Sequence, residues 1–305
     1  MASPIIAIVG PTASGKSSLA DTLALHFTTH VISVDALQIY KGMNIGVAKL
    51  PPEERKAKLD MVDCAELEET YSVQRFQQEA RTCVESLRIH HKQVILCGGT
   101  GLYLNAVIDD MHFPQGSFEN PQRHYYESLV EVEGSDFVFK LLCKRDPASA
   151  ALIHPHNVRR VIRALEMLDD GISYAEHVKG LQRLKPFYTA RIYGLSWPRE
   201  ELYSRIEKRV DAMIEQGLVD EVVRLKARGL QQSKTASQAI GYQEILSYLD
   251  GTYSLEMAVD LIKRRTRHYA KRQISWFSRD PRVEWLDCTT QSLDDMCHKI
   301  INDIS

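Results

Sequence analysis

In the first hundred residues, short apolar runs alternate with amphipathic stretches. Residues 5–9, 31–34 and 94–97 are compact apolar runs, and each leads into turn-forming residues. Runs of this length with such boundaries are typical of strands that are buried on both faces of a parallel sheet. The pattern therefore predicts an α/β fold built from βαβ units.

A helix is predicted from Ser72 onward, between the second and third of these strands. Its apolar positions recur at helical spacing with Gln, Arg and Glu between them, and they are Val73, Phe76, Ala80, Val84 and Leu87. We expect this apolar face to pack on the sheet.

The periodicity changes at residues 113–122, where turn-forming residues interrupt it: Pro114, Gly116, Asn120 and Pro121. From residue 123 to about 187 the spacing is helical, with one apolar stripe formed by Val158, Val161, Ile162, Leu165 and Leu168. Gly171 is placed to end that helix.

An apolar run at 190–196 favours a return strand, and a last short strand at 283–286 precedes a terminal helix. We therefore predict a core of residues 1–113 and 189–305, into which a small helical domain of residues 114–188 is inserted.

The sequence GPTASGKS at residues 10–17 follows the first predicted strand and opens a helix. It matches the P-loop pattern in the context that the pattern requires. In such a loop the backbone N–H groups turn toward one anion, Lys16 adds a positive charge, and the Ser17 hydroxyl can ligate Mg²⁺. The sequence therefore predicts a phosphate site at this strand end.

Two further strand ends are expected at the same crevice. Residues 31–34 lead into Asp35, which suits a metal-side carboxylate or a general base, or only caps the following turn. Residues 94–97 lead into a glycine-rich turn with Thr100, which is either functional or a local cap.

Six segments resemble one known family. They are GPTASGKS at 10–17, ISVDALQIYKGMNIGVAK at 32–49, GGTGLYL at 98–104, RRVIRALE at 159–166, IGYQE at 240–244 and KRQISWF at 271–277. In this order they are similar to the tRNA dimethylallyltransferases, also called tRNA isopentenyltransferases, and the chain resembles their bacterial form. The resemblance implies a P-loop NTPase-like parallel sheet with the insert binding tRNA.

The activity that the resemblance implies is prenyl transfer. A dimethylallyl group would pass from dimethylallyl diphosphate to N6 of adenosine 37 in the tRNA anticodon stem-loop, with Mg²⁺ as cofactor and pyrophosphate as the second product. The catalytic residues implied are Lys16, Asp35, Thr100 and Arg209, with Asp35 as the general base. For Arg209 a solvated helix face is the alternative.

The resemblance also implies two binding sets. The diphosphate set is Gly10, Pro11, Thr12, Ala13, Ser14, Gly15, Lys16 and Ser17, of which Ser17 is the metal ligand. The tRNA set is Asp35, Ala36, Leu37, Gln38, Thr100, Arg123, Arg159, Arg160, Val161, Ile162, Arg163, Gln238, Ala239, Ile240, Gly241, Tyr242, Gln243, Lys271, Arg272, Gln273, Ile274, Ser275, Trp276, Phe277 and Ser278.

Charge is nearly balanced over the chain, with 38 Lys and Arg against 40 Asp and Glu, so an anionic partner must be held locally. Residues 263–282 carry eight of these cations against one acid, with Tyr269, Trp276 and Phe277 interleaved. This stretch favours RNA binding, although a solvated amphipathic helix has the same appearance.

The remaining composition is that of a globular protein. The six cysteines are scattered without metal-ligand spacing, and the sequence shows no signal peptide and no apolar run long enough to span a membrane. We expect a cytoplasmic monomer without a membrane partner.

Two other kinds of protein fit part of the pattern. A dimethylallyltransferase for free adenine nucleotides or a P-loop nucleoside kinase would need neither the insert nor the basic stretch. A non-catalytic RNA-binding or nucleotide-switch protein would not need both Asp35 and Thr100.

Overall fold

A six-stranded parallel sheet organises the larger part of the chain in the computed structural model, which describes residues 3–114, 120–181 and 185–304. The strands are β1 (Ile5–Val9), β2 (Val31–Ser33), β3 (Leu59–Asp60), β4 (Ile95–Gly98), β5 (Ala190–Ser196) and β6 (Val283–Asp287). Their spatial order is β3-β2-β4-β1-β5-β6, with every neighbouring pair parallel. The predicted α/β class is confirmed.

The five predicted strands form within one residue of the predicted bounds, whereas β3 was not predicted. It has two residues and pairs with β2 at the edge of the sheet. A strand this short carries no periodicity by which the sequence could show it.

The helices of the described residues lie between and after the strands. In chain order they are α1 (Lys16–His26), α2 (Val73–Ile89), α3 (Gly101–Ile108), α4 (Pro121–Glu133), α5 (Ser135–Arg145), α6 (Pro147–Ala150), α7 (Val158–Asp169), α8 (Tyr174–Leu181), α9 (Arg199–Glu215), α10 (Leu218–Ala227), α11 (Tyr242–Leu249), α12 (Leu255–Phe277) and α13 (Leu293–Ile304). The Ser72 hydroxyl caps α2 by accepting from the Arg75 N–H, where the pattern predicts the helix to begin.

Alternation along β1 divides the core between the two faces of the sheet. Ile5, Ala7 and Val9 pack in one apolar cluster, which includes residues of α2, α3 and α10–α12. Ile6 and Ile8 pack in a second cluster with residues of α1 and α13. Because β1 lies between β4 and β5, the loop that follows it is fixed at the centre of the sheet edge.

The chain divides into two compact units, residues 3–108 with 187–304 and residues 109–186. The second unit contains α4–α8 and has its own apolar core, which includes Tyr126, Leu142 and Leu165. An antiparallel bridge between Asp109 and Pro186 closes its two ends, so the unit begins earlier than the predicted residue 114.

The stripe predicted on α7 is largely buried, and Gly171 follows the helix with a φ of 77°, as a left-handed residue after a helix C-terminus does. Gly116 and residues 182–184, which the sequence analysis placed in the interrupting segment and the helical stretch, lie outside the described residues. Within the described residues, no helix combines the length and the apolar character needed to cross a membrane.

Candidate active site

The loop between β1 and α1 has the backbone of a phosphate-binding loop. Ala13 and Gly15 have left-handed φ values of 63° and 97°, which turn successive N–H groups to one side. The N–H groups of Ala13, Ser14, Gly15 and Lys16 donate to no other described residue. At Gly10 a Cβ atom would lie 3.0 Å from the carbonyl oxygen of Leu195, which explains a glycine there.

Lys16 bends over this loop, and its Nζ donates to the Pro11 carbonyl at 2.6 Å. Burial lowers the pKa of the ammonium from 10.5 to about 8, the nearby Cys97 and Asp35 oppose that shift, and Arg209 adds to it. The lysine is therefore a cation whose charge is sensitive to pH just above neutrality.

Pyrophosphate binding is expected to weaken as the pH rises through about 8, the pKa of Lys16 in the free protein. Below that pH the ammonium is already charged, so the group contributes no pH dependence. Above it, binding requires proton uptake, so affinity should fall by up to about tenfold per pH unit.

Calorimetric titration from pH 7 to 9.5 checks this, with Lys16→Arg as control because a guanidinium keeps its charge over that range. The ratio of the two affinities cancels the ligand's own ionisation. A constant ratio across the range would show that Lys16 does not change its charge between pH 7 and 9.5.

Asp35 follows β2 and uses one carboxylate oxygen to shape its own turn. Its Oδ1 accepts from the Leu37 N–H at 2.9 Å and from the Gln38 N–H at 3.3 Å. Its Oδ2 accepts from none of the described residues, and the residue lines a cavity with the phosphate loop. The capping interpretation is therefore confirmed for Oδ1. The functional role stays a prediction, and Oδ2 is the oxygen that is placed for it.

Thr100 joins the ends of β4 and β2. Its Oγ1 accepts from the Ala36 N–H at 3.2 Å, and its own N–H donates to the Val34 carbonyl at 3.3 Å. The Tyr269 hydroxyl also lies within hydrogen-bond reach of Thr100, and burial, with the nearby charge of Asp35, raises the pKa of Tyr269 to about 12. Thr100 thus fixes the segment that carries Asp35.

Arg209 projects from α9 into the same cavity, between the apolar side chains of Ile206 and Val210. Burial lowers the pKa of the guanidinium, and the Asp35 charge opposes this shift. No described residue forms a hydrogen bond or ion pair with its side chain. A partly buried cation without a protein partner is suited to bind an anion.

One cavity of about 520 Å³ brings these groups together. Lys16, Asp35, Thr100 and Arg209, which the sequence analysis named separately, all line it. Part of its wall is apolar and comes from Ile206, Val210, Met213 and Ile262 of α9 and α12. The cavity therefore combines positive charges that can bind an anion, a carboxylate oxygen that accepts from no described residue, and apolar walls beside which an apolar group fits.

Gln273 of α12 ties two of the strand ends to that helix. Its Oε1 accepts from the Thr12 N–H at 2.8 Å, and its Nε2 donates to the Gly99 carbonyl at 3.0 Å. The side chain is buried but lines the cavity, so its predicted contact with RNA stays a prediction. Its two hydrogen bonds fix α12 against the phosphate loop.

Sequence reasoning missed Glu221 as a support of the cavity wall. This buried carboxylate accepts from the N–H groups of Asn44, Ile45 and Gly46, at 3.1, 2.9 and 3.3 Å, and from the Tyr242 hydroxyl at 2.6 Å. It thereby holds the segment whose following residues line the cavity. No local pattern links an acid on α10 to a loop some 175 residues earlier.

Several members of the predicted tRNA set are buried. Val161 and Ile162 belong to the core of the second unit, and Ala239, Gly241, Tyr242 and Phe277 are buried in the first. Ala239 and Gly241 nevertheless line the cavity, and the predicted RNA contacts of these six residues stay predictions. The members that are exposed are Arg159, Arg160, Gln238, Lys271, Arg272, Ile274, Ser275, Trp276 and Ser278.

Only half of the basic stretch is available to a partner. Lys263, Arg265, Arg267 and Arg282 pair with Asp211, Glu244, Glu207 and Asp280 at 2.5–2.7 Å. Arg264, Lys271, Arg272 and Arg279 are exposed and form no ion pair with a described residue. The eight-residue patch predicted from the sequence therefore reduces to four cations on α12 and just after it.

Two predicted RNA-binding arginines of the second unit flank a buried acid. Arg123 and Arg163 each place Nη1 near Glu166 Oε2, at 3.6 and 3.8 Å, and Glu166 is 1% exposed. Arg123 also pairs with Glu127 at 3.0 Å. These two arginines have a structural part in the unit, whereas Arg159 and Arg160 are exposed.

A P-loop at the central strand of a parallel sheet, with a carboxylate and a free cation in the adjoining cavity, defines a P-loop α/β protein that acts on a phosphorylated substrate. The sequence profile described as IPP transferase matches residues 38–280. The chain belongs to the IPP transferase family, and the resemblance stated from its motifs is confirmed.

Similar proteins extend over the whole chain. A protein of Carboxydothermus hydrogenoformans named tRNA dimethylallyltransferase is 43% identical over 99% of this chain and 98% of its own length. The crystal structure of the full-length tRNA isopentenylpyrophosphate transferase of Bacillus halodurans has a TM-score of 0.73 and 39% identity, covering 99% of this chain and 95% of that chain. A eukaryotic dimethylallyltransferase described as acting on tRNA has a TM-score of 0.81 and 27% identity, covering 98% of this chain and 78% of that chain.

Proposed function

We propose that this protein transfers a dimethylallyl group from dimethylallyl diphosphate to N6 of adenosine 37, beside the anticodon of tRNA. The observation that carries the proposal is the single cavity in which the phosphate loop, Asp35 and Arg209 meet apolar walls. Membership of the family, with relatives named for this transfer, supports the choice of donor and acceptor.

The diphosphate binds the loop N–H groups of residues 13–16, Lys16 and Arg209. As the allylic C–O bond breaks, its electron pair stays on the diphosphate, and the growing negative charge lies among these donors. Groups that are held in place before the reaction stabilise such charge without reorganising. The apolar α9 and α12 residues provide the surface for the five-carbon chain.

Asp35 accepts the proton of the attacking amine. The N6 lone pair of adenine is delocalised into the ring, so nucleophilic attack is favoured when a positioned base removes a proton as the C–N bond forms. Oδ2 is the oxygen available for this, because Oδ1 is occupied by the N–H groups of Leu37 and Gln38. The products are the prenylated adenosine and pyrophosphate.

Mg²⁺ fits the donors of this cavity. The described residues contain no cluster of three or more acidic, His or Cys side chains that could enclose a metal. Mg²⁺ is usually held by few protein oxygens together with substrate phosphates, and the exposed Ser17 hydroxyl lines the cavity beside the phosphate loop. When bound, the ion would add positive charge at the departing diphosphate.

The acceptor base must leave the stack of its RNA loop to reach Asp35, and extrusion from a single-stranded loop costs only modest unstacking energy. We propose that the exposed arginines of the second unit, Arg159 and Arg160, bind the RNA backbone. A cytoplasmic location supplies tRNA and suits six cysteines that form no disulfide. The monomeric state stays a prediction.

Incubation with dimethylallyl diphosphate, Mg²⁺ and a stem-loop carrying adenosine 37 tests the proposal by mass spectrometry of the digested nucleosides. We expect N6-dimethylallyladenosine, no product from a loop with guanosine at that position, and pyrophosphate in equal amount. Phosphorylation of a nucleoside when ATP replaces the diphosphate would instead establish a kinase. No product with either donor would contradict an enzymatic role.

A further inference from the structure

Two helices form the apolar part of the cavity wall, and each presents a row of side chains to the cavity. The α9 row shares one face of its helix, because its members recur at helical spacing. Its members are Ile206, Arg209, Val210 and Met213. The α12 row consists of Ile262, Thr266, Tyr269, Arg272 and Gln273.

The phosphate loop lies at one end of both rows. Arg205 of α9 donates from Nε to the Ala13 carbonyl at 2.8 Å, and the neighbouring Ile206 packs in the apolar cluster that Ala13 contacts. On α12, Gln273 accepts from the Thr12 N–H at 2.8 Å. The N-terminal half of α9 and the C-terminal half of α12 are therefore fixed at the phosphate-loop end of the cavity.

The two helices run in opposite directions, so the other ends of the two rows are also adjacent. Lys263 pairs with Asp211, and Arg267, one turn further along α12, pairs with Glu207, one turn earlier on α9. Both pairs are 2.6 Å long. The rows are therefore aligned over their length, and each leads away from the phosphate loop.

Met213 and Ile262 occupy the ends of the rows that are remote from the phosphate loop. Both are buried in one apolar cluster, which also contains Val210 and Ala239. Met213 is 8% exposed and is the last residue of α9 to line the cavity, since the helix ends at Glu215. The apolar wall therefore stops at the Met213 side chain.

The wall beyond Arg209 is short. Met213 follows Arg209 by four residues, which corresponds to about 6 Å along the helix axis. A dimethylallyl group has four carbons in line and spans about 4 Å, whereas a geranyl group has eight in line and spans about 9 Å. A diphosphate that binds Arg209 therefore leaves space along this wall for five carbons and not for ten.

Resting on the proposed function, we infer that Met213 closes the pocket for the prenyl chain and sets the length of the donor that the protein accepts. The methyl groups of the dimethylallyl chain lie against Val210 and Ile262, and a longer chain meets the Met213 thioether. Met213 thus determines specificity for five-carbon allylic diphosphates at a distance from the carbon that reacts.

A homologous series of donors tests this inference. Dimethylallyl diphosphate is compared with homologues in which the methyl group trans to C1 is lengthened to an ethyl, propyl or butyl group. The kcat/KM of each donor is measured with saturating stem-loop for the wild type, Met213→Ala, Met213→Leu and Met43→Ala. Met43 supplies the matched control, because it is fully buried in the same apolar cluster and does not line the cavity.

The wild type should prefer dimethylallyl diphosphate to the butyl homologue by at least about 100-fold, because a misfit of one or more methylenes changes kcat/KM by about 10- to 200-fold. Met213→Ala removes Cγ, Sδ and Cε, which makes room for the three added carbons, so its preference should fall below about tenfold. Met213→Leu conserves the side-chain volume and should keep the wild-type preference. Met43→Ala should keep it as well.

Thermal unfolding midpoints show which variants are folded. If Met213→Ala does not fold, Met213→Val has a shorter side chain than methionine and should accept the ethyl homologue with a kcat/KM within about tenfold of that for dimethylallyl diphosphate. The wild-type preference in a folded Met213→Ala would overturn the inference. A raised KM for the stem-loop with an unchanged donor series would also overturn it, by assigning this wall to the adenine ring. No transfer by the wild type from any donor would instead contradict the proposed function itself.

Discussion

Asp35→Asn is expected to lower the single-turnover rate of prenyl transfer by roughly 10²- to 10⁴-fold, the usual effect of removing a positioned base. The amide oxygen can still accept from the Leu37 and Gln38 N–H groups, so the turn that Asp35 caps should survive. Rapid mixing with saturating stem-loop and diphosphate measures the rate. Affinity for pyrophosphate should change little.

Asp21→Asn is the matched control for this prediction. Asp21 is a carboxylate of the same cavity, on α1, so its substitution removes the same charge without removing the proposed base. Its effect on the rate should be at least about tenfold smaller. A similar loss in both variants would assign the effect of Asp35 to the electrostatic field of the cavity.

Free AMP should be prenylated with a kcat/KM several orders of magnitude below that of the anticodon stem-loop. In the stem-loop, contacts remote from the amine hold the extruded base in the geometry of attack, and a truncated acceptor loses that orientation. Steady-state rates with the two acceptors at matched diphosphate concentration measure the difference. Comparable values would place the protein among enzymes of free adenine nucleotides.

Arg159→Ala with Arg160→Ala should reduce the difference in kcat/KM between the stem-loop and AMP, because it should slow only the reaction of the stem-loop. These two side chains are exposed, so their loss should leave the second unit folded. Arg163 is a poorer choice, because its removal would leave the buried Glu166 with a single neighbouring arginine, Arg123. A buried carboxylate that loses a cationic partner destabilises the fold around it.

The middle of the sheet was predictable because β1, β2 and β4 are buried on both faces, whereas β5 and β6 carry the exposed Arg191 and Glu284. The central strand β1 is fully buried along its length, and its sequence IIAIV has no polar position to obscure it. The two-residue β3 forms only by pairing with β2, and residue 109 pairs with residue 186. Neither pairing can be predicted from a local sequence pattern, because the partners are distant in the chain. Boundaries of the second unit were therefore displaced by a few residues.

The reacting groups were predictable for a related reason. Lys16, Asp35 and Thr100 each follow a strand, and the carboxyl ends of parallel strands meet at one edge of a sheet. Arg209 was identified by resemblance alone, and its approach to the cavity depends on how α9 packs. Glu221 lay beyond prediction because its four donors come from two distant segments.

Charge counting was the least reliable guide to function. Lys263 and Arg264 are adjacent in the sequence, yet one is paired with Asp211 and the other is exposed. Which cations remain available depends on acids that α9 and α11 bring to α12, such as Glu207 and Glu244. The sequence indicates where positive charge is concentrated, whereas packing decides how much of it can bind a partner.

The two hydrogen bonds of Gln273 connect α12, which the predicted tRNA set assigns to RNA, with the loop that the proposed function assigns to the diphosphate. The same 23-residue helix that presents Lys271 and Arg272 to solvent holds the Thr12 N–H and the Gly99 carbonyl on its buried side. Under the proposed function, an RNA that displaces α12 would move these two partners with it, and the binding of RNA and diphosphate would then be coupled. The coupling is reciprocal: if bound RNA changes the affinity for the diphosphate by some factor, bound diphosphate changes the affinity for RNA by the same factor. With α12 anchored in this way, the substrate that binds first would alter the rate at which the second dissociates.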